Sequence, residues 1–164
     1  MPFSDGSGRG PGGESVARDP AARRLSGLPH ANGVMSRLAC ARAKEARLDW
    51  KALVEAAGLT VEQIEKRETR IGVRNQIVLL GLVAEALRDE FLGFHLARDV
   101  DLREAGLLYY VMASSETLGD ALRRVVRYST LVNEGIRLHC PNGRLTAITI
   151  EYVGTPRHAD RHQI

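Results

Sequence analysis

Histidines four residues apart share one face of a helix and can hold a metal together; His158 and His162 have that spacing, and His139 beside Cys140 offers a third and fourth ligand. The set fits no standard zinc spacing, and no glutamate stands between the pair as in an HExxH helix. The expectation is therefore solvent-facing histidines at a helix start and no metal. Ser114 and Ser115 are nucleophiles by type, but neither lies in a GxSxG elbow. Both precede a helix, where their oxygens can satisfy unbonded backbone N–H groups. Asp99 and Asp101 are close carboxylates in a loop without a partner acid. The glycine-rich "GSGRGPGG" near the N-terminus follows no strand and opens no helix, as a phosphate loop would have to. No catalytic constellation remains, and the chain is expected to be no enzyme and to need no cofactor.

Two stretches could meet nucleic acid instead. "SSETLGDALRRVVRYS", residues 114–129, packs Arg123, Arg124 and Arg127 into one turn and a half of helix, and "LVEAAGLTVEQIEKRE", residues 53–68, reads as helix, glycine turn, helix. A DNA-reading second helix would set its N-terminal residues against bases and phosphates, yet here that end carries Glu62 and Glu65. The whole chain carries 23 basic against 20 acidic side chains, a net charge of +3, less than a dedicated nucleic-acid binder concentrates on one face. Lysines are confined to Lys44, Lys51 and Lys66, so the arginines reflect a compositional bias before they reflect phosphate contacts. Asp120 can pair with Arg123 and Arg124 at helical spacing. The opposite stripe of Leu118, Leu122, Val125, Ser129 and Val132, widened by Ala121 and Tyr128, should supply the buried contact.

The elements that position these residues follow from period and punctuation. Residues 1–34 are dominated by Gly, Pro, Ser and Arg and predict a disordered tail, with Met35 as an alternative start. Asp49 caps "WKALVEAAG", with Leu53, Val54 and Ala57 on one face and Gly58 at the stop. Thr60 and Gln63 form a capping box for the next helix. A third helix, from about Asn75 to Phe94, is apolar nearly all round and should be central, with Gly81 admitting a close neighbour. Its apolar run from Ile77 to Leu87 is too short to span a membrane. "LLYYVM", after Gly106, fits a strand or a buried helix, and helix is the reading taken. "IRLHCP" and "RLTAITIEYV" flank Asn142-Gly143 and predict an antiparallel hairpin. Thr155 and Pro156 look like the cap and first position of a further helix that stops at Ile164, as in a shortened chain. Cys40 and Cys140 form no CxxC pair and suit a reducing cytoplasm. The fold class is α+β, with a helical N-terminal half, then an antiparallel β-hairpin and the start of a further helix.

Taken in order, "EAAGLTVEQIE", "LRDEFLGFHLARDVDLREAGLLYYVMASSETLGDALRRVVRYSTLVNEGIRL" and the following hairpin resemble the N-terminal sensor region of AraC-type bacterial transcription regulators, in the subset called arabinose-binding-like. The most specific piece is "GLLYYVMASSETLGDALRRVVRYS", and the resemblance covers roughly residues 45–164. It implies a domain that binds a small-molecule effector, helps a homodimer form, or both, while a C-terminal pair of helix-turn-helix units grips DNA. No such pair follows in these residues, so residues 35–164 are expected to be a truncated effector-sensing domain that meets DNA only through a part not in this chain. Tyr109 and Tyr110, polar-tipped aromatics in an apolar run, are the candidate ligand contacts; core packing with a bonded hydroxyl is the competing reading. The rival function is a small stand-alone helix-turn-helix DNA-binding protein using residues 50–68.

Overall fold

The computed structural model describes residues 29–140, 147–153 and 162. Strand β1 (His30–Ala31) leads into helix α1 (Val34–Glu45), followed by α2 (Trp50–Ala56) and α3 (Val61–Glu65). Strand β2 (Ile71–Gly72) precedes α4 (Val73–Leu87), α5 (Leu92–Asp99), a 3-10 turn at Leu102–Ala105, α6 (Leu107–Ala113) and α7 (Leu118–Tyr128). A second 3-10 turn, Ser129–Leu131, leads to β3 (Ile136–His139) and β4 (Thr149–Tyr152). The helical part followed by an antiparallel hairpin is the expected α+β order. The segment proposed as a further helix after Thr155 lies outside the described residues, apart from His162.

Local chemistry explains the first helices. Asp49 Oδ1 accepts from the Ala52 N–H at 3.2 Å at the head of α2. At α3 the capping box is complete: Thr60 Oγ1 accepts from the Gln63 N–H at 3.2 Å, and Gln63 Oε1 accepts from the Thr60 N–H at 2.8 Å. The core is centred on α4, whose Leu79, Leu80 and Val83 are fully buried against Ala39, Cys40 and Ala43 of α1, Val54 of α2, and Leu92 and Leu96 of α5. Within this apolar contact Ser36 donates to Gln76 Oε1 at 3.1 Å, so a buried polar pair joins α1 to α4. Burial also pushes the Cys40 thiol up to about 11, which keeps it protonated and unreactive.

Residues 29–34, counted with the tail on composition, belong to the fold. His30 and Ala31 pair antiparallel with Gly72 and Ile71, the Val73 N–H donates to the Pro29 carbonyl, and Val34 is buried. The same segment bridges to the far end of the chain: Asn32 N–H donates to Val132 O and Glu134 N–H to His30 O, both at 2.9 Å. Arg70 locks the junction, donating to Leu131 O at 2.9 Å, His30 O at 3.1 Å and Glu134 Oε1 at 3.0 Å. Residues 1–28 lie outside the described residues.

The expected third helix is two. Arg88 adopts the left-handed conformation (φ 53°), the Arg88 N–H donates to Glu85 O, and the Asp89 N–H reaches back to Ala84 O. These 5→2 and 6→1 bonds are a Schellman stop, with arginine in the place glycine usually holds. Asp89 then accepts from the Phe91 N–H at 3.0 Å and from His95 Nδ1 at 2.7 Å at the head of α5. Gly81 has no close neighbour among the described residues, since a Cβ there would meet open space. The close approach occurs at Gly93 in α5, where a Cβ would overlap the backbone of His162.

The hairpin pairs Ile136 with Tyr152 and His139 with Thr149. A two-residue turn at Asn142-Gly143 would set His139 opposite residue 146, so this register is three residues away from the one the dipeptide predicts. The dipeptide itself lies outside the described residues. No helix among the described residues is long and apolar enough to cross a membrane.

Candidate functional site

Helices α6 and α7 form a helical hairpin joined by residues 114–117. The left-handed Gly106 (φ 62°) starts α6 by turning the chain out of the preceding 3-10 turn. Ser114 and Ser115 do not serve the following helix as expected. Both hydroxyls donate backward to the Val111 carbonyl, at 3.1 and 3.2 Å, and so close the C-terminal end of α6. Thr117 opens α7 instead, its Oγ1 accepting from the Asp120 N–H at 3.1 Å while its hydroxyl donates to Asp120 Oδ2 at 2.6 Å. A glutamate at that position would reach the Thr117 backbone N–H; the shorter aspartate bonds the Thr117 hydroxyl.

The arginines of α7 divide their work. Arg123 donates to Asp120 Oδ1 at 2.7 Å, as its spacing predicts. Arg124 does not join that pair. Its Nη1 crosses to α6 and donates to the Val111 carbonyl at 2.8 Å and to Ser114 Oγ at 2.9 Å, setting a cation at a helix C-terminus. Arg127 lies over the Tyr128 ring, 5.4 Å from its centroid, and makes no hydrogen bond or ion pair among the described residues. The Thr117 hydroxyl and then the Arg123 guanidinium hold the Asp120 carboxyl below its ordinary 3.8, so it is ionised at neutral pH.

Between the two helices these side chains line an open groove of about 540 Å³: Val111 from α6, and Asp120, Arg123, Arg124, Arg127 and Tyr128 from α7. The polar face of α7 was legible as Asp120, Arg123, Arg124 and Arg127 at helical spacing. Val111 carried no signal, and Tyr128, expected on the apolar stripe opposite the arginines, lines the groove with them, because the groove exists only once α6 is laid beside α7. The stripe expected to be buried is covered only in part: Ser129 is buried, but no residue of α7 itself is fully buried, and Leu118 is 76% exposed.

The structure places the candidate tyrosines on α6 outside the groove. Tyr110 is 65% exposed and Tyr109 half-buried, with their rings edge to face at 5.3 Å. Arg103, close to this pair, is bonded to Asp101 at 3.0 Å, and that carboxylate raises its already high pKa. A second depression of about 370 Å³ lies beside the end of α4, lined by Gly81, Ala84, Glu85, Arg88, Asp89 and Glu90.

Other sequence candidates separate. His139 bonds Glu151 across the hairpin at 2.9 Å, Cys140 is a half-buried thiol in no disulfide, and His158 lies outside the described residues. His162, expected at the solvent face, is 5% exposed. Among the described residues no three His, Cys, Asp or Glu side chains gather to hold a metal. Asp99 and Asp101 flank a bend, where Asp101 caps the 3-10 turn through the Arg103 N–H at 3.0 Å. In the helix-turn-helix candidate, α3 has five residues, its Ile64 is buried in the core, and Lys66 is paired with Glu62 at 2.6 Å.

No curated protein and no solved structure matches the chain. The family described as the arabinose-binding domain of AraC transcription regulator, N-terminal, matches residues 48–163, a span that contains α2 to α7 and the hairpin. That match covers most of the chain and agrees with the residues on which the resemblance rested, so the chain belongs to the family of N-terminal arabinose-binding domains of AraC transcription regulators.

Proposed function

We propose that this chain is the effector-sensing part of an AraC-type regulator, working in the cytoplasm, in which a bound small molecule changes how a DNA-binding domain elsewhere in the regulator is presented. The observation that carries this reading is the family match over residues 48–163. The fold supports it. The α1–α5 body is densely buried, whereas in the α6–α7 hairpin only Leu108 is buried apolar surface, so the hairpin is the part of low local stability that a ligand can reposition. A ligand shifts such an equilibrium only by its differential affinity for the two arrangements. Homodimer formation is a second role for the same domain, and Tyr109 and Tyr110 are proposed contacts for an effector or partner that covers the outer side of α6. The pairing of His30 and Ala31 with β2 supports counting residues 29–34 with the sensing unit proposed for 35–164.

The test is thermal denaturation of the chain against sugars, organic acids and amino acids, followed by electrophoretic mobility shift on duplex DNA over a salt series. One compound that saturably raises the melting temperature, by the equivalent of about 2.7 kcal/mol at a hundredfold excess over Kd, supports the sensor. No shift with any compound, together with DNA binding that falls steeply with salt, replaces it with the helix-turn-helix reading of residues 50–68. The short, acidic α3 stands against that second outcome.

A further inference from the structure

We infer that the groove between α6 and α7 is an anion site and that the effector it takes is a small organic carboxylate, an assignment that rests on the sensing role and adds the place and the ligand class. The groove gathers three guanidinium groups, Arg123, Arg124 and Arg127, against the single carboxylate of Asp120. Three positive charges less one negative leave a net +2 in one groove, in a chain whose total is +3. Charge of one sign lining a concave surface focuses potential and draws in a counter-charged ligand.

Each arginine is prepared in a different way. Arg124 is fixed by its two Nη1 bonds to the end of α6, while its Nε and Nη2 bond nothing among the described residues. It presents a donor edge whose position is already set by the packing of the two helices. Arg127 rests on Tyr128 and has no polar partner among the described residues. Arg123 is held by Asp120, three residues away on the same exposed surface, and such a pair contributes little and exchanges readily for a better acceptor. The planar fork of a guanidinium matches a carboxylate with two parallel N–H···O bonds. Val111 and the Tyr128 ring supply apolar wall for a carbon skeleton. The groove's volume lies within the range of about 300–1,000 Å³ usual for small-molecule sites.

The same residues disfavour other anions. Inorganic phosphate carries more charge past ionised Asp120 and has no carbon skeleton for the Val111–Tyr128 wall. A nucleic-acid backbone calls for cations spread along a face, whereas these are gathered in one groove beside an acid.

The experiment uses the full chain with labelled arginine and follows the guanidinium Nε–H resonances by NMR at constant ionic strength. Acetate, succinate and benzoate are titrated separately, with inorganic phosphate, duplex DNA and arabinose in parallel. The expected result is saturable movement of the Arg123 and Arg127 signals with at least one carboxylate. Arg127→Gln should weaken that binding by about tenfold, with Arg127→Lys recovering part of it. Asp120→Asn should tighten it, since the ligand no longer competes for Arg123. These opposite directions separate a site from a general loss of folding, which circular dichroism of each variant checks. If no carboxylate saturates, if phosphate or DNA binds more tightly, or if both variants weaken binding equally, the assignment is wrong. Saturable arabinose binding that leaves the arginine signals unmoved overturns the carboxylate while the sensing role stands. Failure of every small molecule here and in the thermal screen removes both.

Discussion

Gly81 and Gly93 stand on successive helices and have opposite reasons to be glycine. At Gly81 a Cβ would meet open space, so the residue costs helix propensity and returns no packing. At Gly93 a Cβ would overlap the carbonyl of His162, and backbone cannot move aside as a flexible side chain does. Gly81→Ala is accordingly expected to stabilise the chain by about 0.5–1 kcal/mol, raising the melting temperature by about 2–4 °C per kcal/mol. Gly93→Ala is expected to destabilise by about 1–3 kcal/mol through overpacking. Paired thermal melts check both, and equal responses would mean that His162 is not seated on α5. The sequence marks both positions with the same letter. Only the neighbour, 69 residues further along the chain in one case and absent in the other, separates them.

Helix ends explain which elements could be read in advance. The three stops after α1, α2 and α4 share one hydrogen-bond pattern: Arg47, Gly58 and Arg88 donate to Lys44, Glu55 and Glu85, and the next residues, Leu48, Leu59 and Asp89, reach back to Ala43, Val54 and Ala84. Gly58 announces its stop because glycine accepts positive φ without penalty. Arg47 and Arg88, at φ 58° and 53°, do not, which is why α4 and α5 read as one helix. Holding an L-residue there costs about 1 kcal/mol. Arg88→Gly is thus expected to raise the unfolding free energy by up to about 1 kcal/mol in urea denaturation, without altering helix content. A loss of stability would show that the Arg88 side chain contributes more than its backbone costs. Caps with a side-chain signature, Asp49 and the Thr60–Gln63 box, were legible outright because donor and acceptor lie three residues apart.

For the molecule as a whole, apolar surface is unevenly covered. Phe91 and Phe94 around α5, Leu102, Leu107 and Tyr110 around α6, and Leu118 at the head of α7 are each more than half exposed, from 59% at Leu102 to 76% at Leu118. Soluble monomers rarely leave so many large apolar side chains open when they gather into a patch. The chain is therefore expected to self-associate as concentration rises in sedimentation velocity, and the pair Phe94→Ser with Leu118→Ser to move it toward monomer with its helical circular dichroism intact. A monomer at every concentration would show these side chains to be scattered and inconsequential.

By itself the sequence determined the order of helical part and hairpin, the caps of α2 and α3, the amphipathic α7 and the family to which the chain belongs, because each rests on residues three to four apart or on motifs in a fixed order. The tertiary structure decided everything that joins distant segments. It drew residues 29–34 out of the presumed tail into a strand beside β2, took Arg124 away from Asp120 to close α6, and set Val111 opposite Arg127 to make a groove. It also turned Tyr110 outward. Local hydrogen bonds are written in spacing. Contacts between helices depend on which faces meet, and one chain's periodicity states only that a face exists.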